Sequence, residues 1–172
     1  MSILVTIITD ASVNSQTGAA GWAGQVILGG QRFVFSRHFK SLMTSSHDAE
    51  ICAVVNTIHC GYSHIIPLNA RLLVQLDNTR TVQVLRRTVT KNGLDLTSCE
   101  KEAIAHLERL MLANATESLT IRHVKAHVPA TKREARHHVH EKLDRLAKKA
   151  RLEEATAAGH LSQSLDKKPP PT

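Results

Sequence analysis

Three observations predict a mixed α/β sheet with helices on its faces. The first 39 residues hold three short apolar runs, with a Gly29-Gly30 turn signal between the second and third. From Ser46 onward, segments whose apolar residues recur every three or four positions alternate with further short apolar runs. The resulting order is β β β α β α α β α, a hairpin sheet extended by crossover units. Finally, 172 residues with 42% hydrophobic content fill one domain with a core of its own and are too few for two ordinary ones. Residues 1–158 are read as that single domain.

Ile3 to Thr9 (ILVTIIT) is β-branched and bounded by polar residues, as suits a buried strand, and Asp10 closes it. Gly18 to Gly30 and Arg32 to Phe39 follow as the arms of the hairpin, so three antiparallel strands open the fold. Over 46–61, Ile51, Val54, Val55 and Ile58 recur at helical spacing, with Ser45 or Ser46 available as N-cap and Gly61 as C-cap. Arg71 to Leu76 is a strand ended by Asp77, and the polar NTRT that follows starts a second helix. Leu96 to Ala115 carries Ile104, Leu107, Leu110 and Met111 at helical intervals, and Leu119 to Val124 is the last strand. The final helix is expected over 138–158, with Val139, Leu143, Leu146, Ala147 and Ala150 on one face. Residues 159–172 end in DKKPPPT, cannot build a core, and are read as a disordered tail.

A formal net charge of +7 points to an acidic partner, and nucleic acid is the default. The charge forms a patch: residues 122–151 hold 10 Lys or Arg against Glu134, Glu141 and Asp144. No run approaches the ~18 apolar residues of a membrane span, and no signal peptide opens the chain, so an intracellular, cytoplasmic protein with no membrane partner is expected, as a monomer. Cys52, Cys60 and Cys99 are an odd number without CxxC spacing, which makes a disulfide framework and a cysteine zinc site poor readings and favours reduced, mostly buried thiols. The histidines at 123, 127, 137, 138 and 140 lack the spacing of a structural metal site and fit a basic, phosphate-contacting loop. Trp22 reads as core.

Four acids stand out. Asp10 and Asp77 end strands, Glu50 lies in the first turn of the first long helix, and Asp144 lies in the last helix. Each alone would be an N-cap, a turn or a helix-dipole partner. If the first and fourth strands are neighbours, Asp10 and Asp77 lie side by side and the two helices overhang the same rim. Carboxylates so crowded stay ionised only beside cations, and hard oxygen donors call for Mg²⁺ or Mn²⁺. Two such ions ~4 Å apart can activate a water and stabilise the leaving oxygen of a phosphodiester.

TDAS (Thr9 to Ser12), GWAG (Gly21 to Gly24), Glu50, LLVQLDN (Leu72 to Asn78), HVKAH (His123 to His127) and HEKLDRLAKKA (His140 to Ala150) together resemble type 1 ribonuclease H, over about residues 2–151. That resemblance implies a ribonuclease H-like fold, a five-stranded mixed sheet of order 3-2-1-4-5 flanked by helices on both faces. It implies an endonuclease hydrolysing the RNA strand of RNA/DNA hybrids with two Mg²⁺ or Mn²⁺ ions. Asp10, Glu50, Asp77 and Asp144 would be the metal-binding and catalytic acids, and His127 a catalytic proton shuttle that assists product release. Ser12, Ser46, Asn78, Arg86, Arg87, Lys125, Lys132, Arg133 and Arg136 are the candidate nucleic-acid contacts.

This sequence departs from the family in three places. Ser45, Ser46, His47 and Asn78 stand where Thr-Asn-Asn and Ser are more usual, among the groups that recognise the 2′-hydroxyl. The loop between His127 and Asp144 is longer and more basic than is common. The segment between the second and third helices, RRTVTKNGLDLTSCEK, is too short for a full substrate-binding handle. Two alternatives follow: a DNA-directed nuclease or resolvase of the same fold, able to bind duplex DNA, and a non-catalytic nucleic-acid-binding module.

Overall fold

The computed structural model describes residues 2–87, 95–124 and 135–165. The elements are β1 (Leu4–Val13), β2 (Ala20–Leu28), β3 (Gln31–His38), α1 (Ser46–His64), β4 (Arg71–Leu76), α2 (Thr79–Leu85), α3 (Ser98–Ala113), β5 (Ser118–His123) and α4 (Ala135–Leu165). They form one five-stranded sheet of order β3-β2-β1-β4-β5, the order expected. The β1–β2–β3 pairs are antiparallel, whereas β4 runs parallel to β1 and β5 parallel to β4. Gly29 and Gly30 both take positive φ, at 55° and 84°, in the two-residue turn between paired Leu28 and Gln31.

Period-2 alternation in β1 divides the helices between the two faces. Val5 and Ile7 join a core with Ile51, Val54 and Ile58 of α1, while Ile8 packs with Leu143 and Ala147 of α4. Trp22 is core, as expected, 3% exposed beside Ala49 and Ala53. The GWAG stretch lets both helices approach β2 closely. A Cβ on Gly21 would stand 2.4 Å from the Ala147 carbonyl oxygen and 2.5 Å from the Arg151 nitrogen of α4, and one on Gly24 would stand 1.9 Å from Thr57 Oγ1 of α1. Two polar contacts fasten α4 to the sheet: Ser36 Oγ donates to the Leu146 carbonyl at 3.2 Å, and Arg151 Nη1 to the Val13 carbonyl at 3.2 Å.

Three boundaries differ from expectation. β1 does not stop at Asp10. Its pairing with β4 ends at Ile8↔Gln75, but its ladder with β2 continues to Val13↔Ala20, which carries the polar residues past the point where composition suggests a break. Gly61 does not cap α1, which continues to His64. Its missing Cβ leaves room for Ile66, whose Cδ1 would lie 2.5 Å from such an atom. The cap at the other end is Ser45, whose side chain accepts from the His47 and Asp48 amides. The last helix spans 135–165 rather than 138–158, so it runs seven residues past the expected domain boundary, and the end of the expected tail, 166–172, lies outside the described residues.

A second interaction aligns the short α2 with α3. Arg80 donates to both carboxylate oxygens of Glu100, at 2.8 and 2.7 Å, and Glu100 also closes a capping box with Thr97. Glu100 is 2% exposed, and the Arg80 guanidinium holds its carboxyl below the usual carboxylate range. The pair therefore stabilises the fold at neutral pH, and its contribution is lost as pH falls through that lowered value. Glu100→Ala should cost about 2–3 kcal/mol in urea unfolding near pH 7, from the lost cap and the stranded guanidinium. A midpoint equal to wild type would show that the contact contributes nothing.

Candidate active site

β1, α1 and β4 bring three of the four acids to one rim. Asp10 lies on β1 just past its last residue paired to β4, and Asp77 immediately follows β4, so both stand at the same end of adjacent parallel strands. Glu50, in α1, reaches them from above the sheet: the Ala11 amide donates to Asp10 Oδ1 at 2.8 Å and to Glu50 Oε1 at 3.3 Å. One N–H is thus shared between two carboxylates. Glu50 is 8% exposed, and its Oε2 is buried without a hydrogen-bond donor among the described residues.

Electrostatics records the crowding. Burial, then the charges of Asp77 and Asp144, push the Asp10 carboxyl up to about 7 against the pull of the Ala11 amide. Burial, then Asp10 and Asp77, push Glu50 well above its ordinary value. The fourth acid is held differently: Asp144 of α4 accepts from Lys148 Nζ at 2.8 Å, one helical turn away. Its neighbour Leu143 is fully buried against β1, which keeps this turn of α4 on the sheet.

These residues suit a hard cation. The ligand atoms are all carboxylate oxygens, one of them buried with no hydrogen-bond donor among the described residues, and the repulsion that lifts Asp10 and Glu50 is what a divalent ion would relieve. Among the described residues no three His, Cys, Asp or Glu side chains close into a ready-made ligand shell. Asp144 would exchange Lys148 for the ion.

Around the rim, Asn78 caps α2 by accepting from the Thr81 amide at 3.0 Å, and its Nδ2 meets His47 Nδ1 of α1 at 3.2 Å. This bridge between helix openings was not read from sequence, where the two residues are 31 positions apart. His123, counted with the loop histidines but also within the expected last strand, ends β5, its Nε2 3.0 Å from the Asp77 carbonyl oxygen. Ser12 lies on β1 opposite Gly21, and Ser46 is the exposed first residue of α1, next to the cap. Asp48 lies in the first turn of α1 and accepts from Thr97 Oγ1 at 2.9 Å.

Arg86 and Arg87 have protein partners. Arg86 donates to the Ile121 carbonyl at 3.1 and 2.6 Å, and Arg87 pairs with Glu108 of α3. Lys125, His127, Lys132 and Arg133 lie outside the described residues, as does the side chain of Arg136. Among the described residues, no helix is long and apolar enough to cross a membrane.

The RNase H family model matches residues 3–151. Among solved structures, the chain is similar to the N-terminal RNase H domain of a Mycobacterium tuberculosis protein, at 15% identity and TM-score 0.64, over 91% of this chain and 99% of that one. It is similar to RNase H1 of the halophilic archaeon Halobacterium salinarum, at 15% identity and TM-score 0.61, over 88% and 98% of the two chains. A third similar structure is LC11-RNase H1, from compost, in complex with RNA/DNA hybrid, at 15% identity and TM-score 0.63, over 88% and 99%. At these identities the structures speak for the fold. No curated protein matches.

Proposed function

The chain belongs to the RNase H family of endoribonucleases, and from that premise we propose that it hydrolyses the RNA strand of RNA/DNA hybrids with two divalent cations, Mg²⁺ or Mn²⁺. The observation that carries this reading is the meeting of half-buried Asp10 and buried Glu50 on the one Ala11 amide, at the strand end where Asp77 also stands. A module that only bound nucleic acid would gain nothing from carboxylates that repel phosphate. Asp10, Glu50 and Asp77 would hold the ions, and Asp144, released from Lys148, would complete the second position. Bound there, the ions would activate the attacking water and stabilise the leaving oxygen.

The chain's own groups do the rest. The Ala11 amide fixes Asp10 and Glu50 relative to each other, and His123 steadies the backbone at Asp77. The Asn78–His47 pair and Ser46 offer hydrogen bonds at the openings of α2 and α1, where a 2′-hydroxyl would distinguish RNA from DNA. His127 would move the proton that accompanies product release, and the cations of the 125–136 segment would grip phosphates.

Labelled RNA/DNA hybrid, duplex DNA and a four-way junction, each incubated with Mg²⁺ and with EDTA, test the reading. Cutting of the hybrid's RNA strand in Mg²⁺ and none in EDTA is expected. Preferential cutting of DNA would replace it with the DNA-directed reading, and hybrid binding without cleavage with the binding module.

A further inference from the structure

The cysteines take no part in that chemistry, yet two of them meet. Cys52 lies on α1 and Cys99 in the first turn of α3, and their Sγ atoms are 3.4 Å apart although 47 positions separate them. Cys60 is elsewhere, lining a cavity beside Trp22 and Phe39. Cys52 and Cys99 are both half-buried thiols rather than the buried ones expected from sequence, and they open on a 450 Å³ cavity between α1 and α3 lined also by Glu102, His106 and Arg109. A small solute can therefore reach the sulfurs, whereas a second protein chain would have to enter the cleft. Proximity, access and a partner on a separate helix are what an intramolecular disulfide requires, and the sulfurs need close only to about 2.05 Å.

We propose that Cys52 and Cys99 are a dithiol site for oxidation by low-molecular-weight disulfides, which joins α1 to α3 through a Cys52–Cys99 bond. The thiolate of one cysteine attacks a sulfur of the small disulfide, forming a mixed disulfide and expelling one small thiolate. The second cysteine gives its proton to solvent, attacks the protein-bound sulfur of the mixed disulfide and expels the other thiolate. The protein loses two protons and two electrons, and the small disulfide becomes two thiols. Both thiols are half-buried, so once an oxidant is supplied the pair converts over minutes to hours. The bond encloses β4 and α2 in its loop and ties the helix that carries Glu50 to the helix whose first turn carries Glu100.

The full chain incubated with excess oxidised glutathione gives the test. Free thiols should fall from three to one, with the protein mass lower by two hydrogens and no glutathione retained. Peptide mapping should place the bond between Cys52 and Cys99, and the thermal midpoint should rise by about 5–10 °C and return on adding dithiothreitol. Cys60→Ser should form the same bond. Three free thiols after prolonged incubation, a persistent glutathione adduct on either residue, or a disulfide-linked dimer would each overturn the proposal. None of these readouts depends on nuclease activity.

Discussion

Cleavage of hybrid by Asp10→Asn protein should fall on the order of a thousandfold or more in Mg²⁺, because the change removes a charged donor from the centre of the acidic rim. Hybrid binding in EDTA should persist or tighten, since one fewer carboxylate repels phosphate. The same substitution has a second consequence, on stability. Asp10 ionises near pH 7 in the fold against 3.8 in an unfolded chain. Below 3.8 the carboxyl is protonated in both states and costs nothing. As pH rises between those values, the unfolded chain releases a proton that the folded one retains, so the folded state loses stability, and above about 7 the whole cost is present. Asparagine never ionises and escapes it. Metal-free Asp10→Asn should therefore be more stable than wild type near pH 8, on the order of 2–4 kcal/mol, with the difference vanishing near pH 4. Mg²⁺ should stabilise wild type more than the variant. Urea unfolding across that pH range, with and without Mg²⁺, reads both effects, and unchanged cleavage would falsify the assignment of Asp10.

What could be read from the sequence follows from where each determinant is stored. The Gly29-Gly30 turn, the strand runs and the helical periodicities are local, and they point to each of the nine elements among the described residues. The shared rim of Asp10, Glu50 and Asp77 was legible because Asp77 follows a strand, Glu50 lies early in a helix, and Asp10 lies just past the last pairing of β1 with β4, where the apolar run ends. Features that depend on a distant partner were not. The persistence of β1 through Val13 is decided by β2, and the place of Gly61 inside α1 by Ile66. The meeting of His47 with Asn78, or of Cys52 with Cys99, belongs to the packing of helices and leaves no pattern in the chain. Lys148 is the instructive case. Its spacing from Asp144 is the ordinary one-turn pairing of a helix, yet in sequence it is only one of the cations of the basic patch; in the structure it holds the acid itself.

The longest-range dependence gives the other large effect. Gly21 lies on β2, far in sequence from α4, but its bare Cα is what allows the Ala147–Arg151 backbone to rest on the sheet. In Gly21→Ala the new methyl would meet a carbonyl oxygen at 2.4 Å and an amide nitrogen at 2.5 Å, atoms that no side-chain rotation can move aside. The helix itself must shift, loosening the buried contacts of Leu143 and Ala147 with Ile8 and Ala23 and straining the Ser36 and Arg151 anchors. A loss of about 2–3 kcal/mol is expected in urea unfolding. Asp144 lies one turn before Ala147, so a displacement of α4 carries it away from Asp10. Even a 1 Å misplacement can cost about a hundredfold in rate. Cleavage measured well below the melting temperature, where the variant is fully folded, should therefore drop by about that factor, with a higher Mg²⁺ requirement. Gly24→Ala is the informative contrast. Its added methyl would strike Thr57 of α1 and leave the α4 contact untouched, so it should destabilise the fold while Asp144 keeps its place. If Gly21→Ala loses stability but cleaves at the wild-type rate in the folded state, the position of Asp144 is set by something other than this approach of helix to sheet, and its share in the site would have to be reassigned.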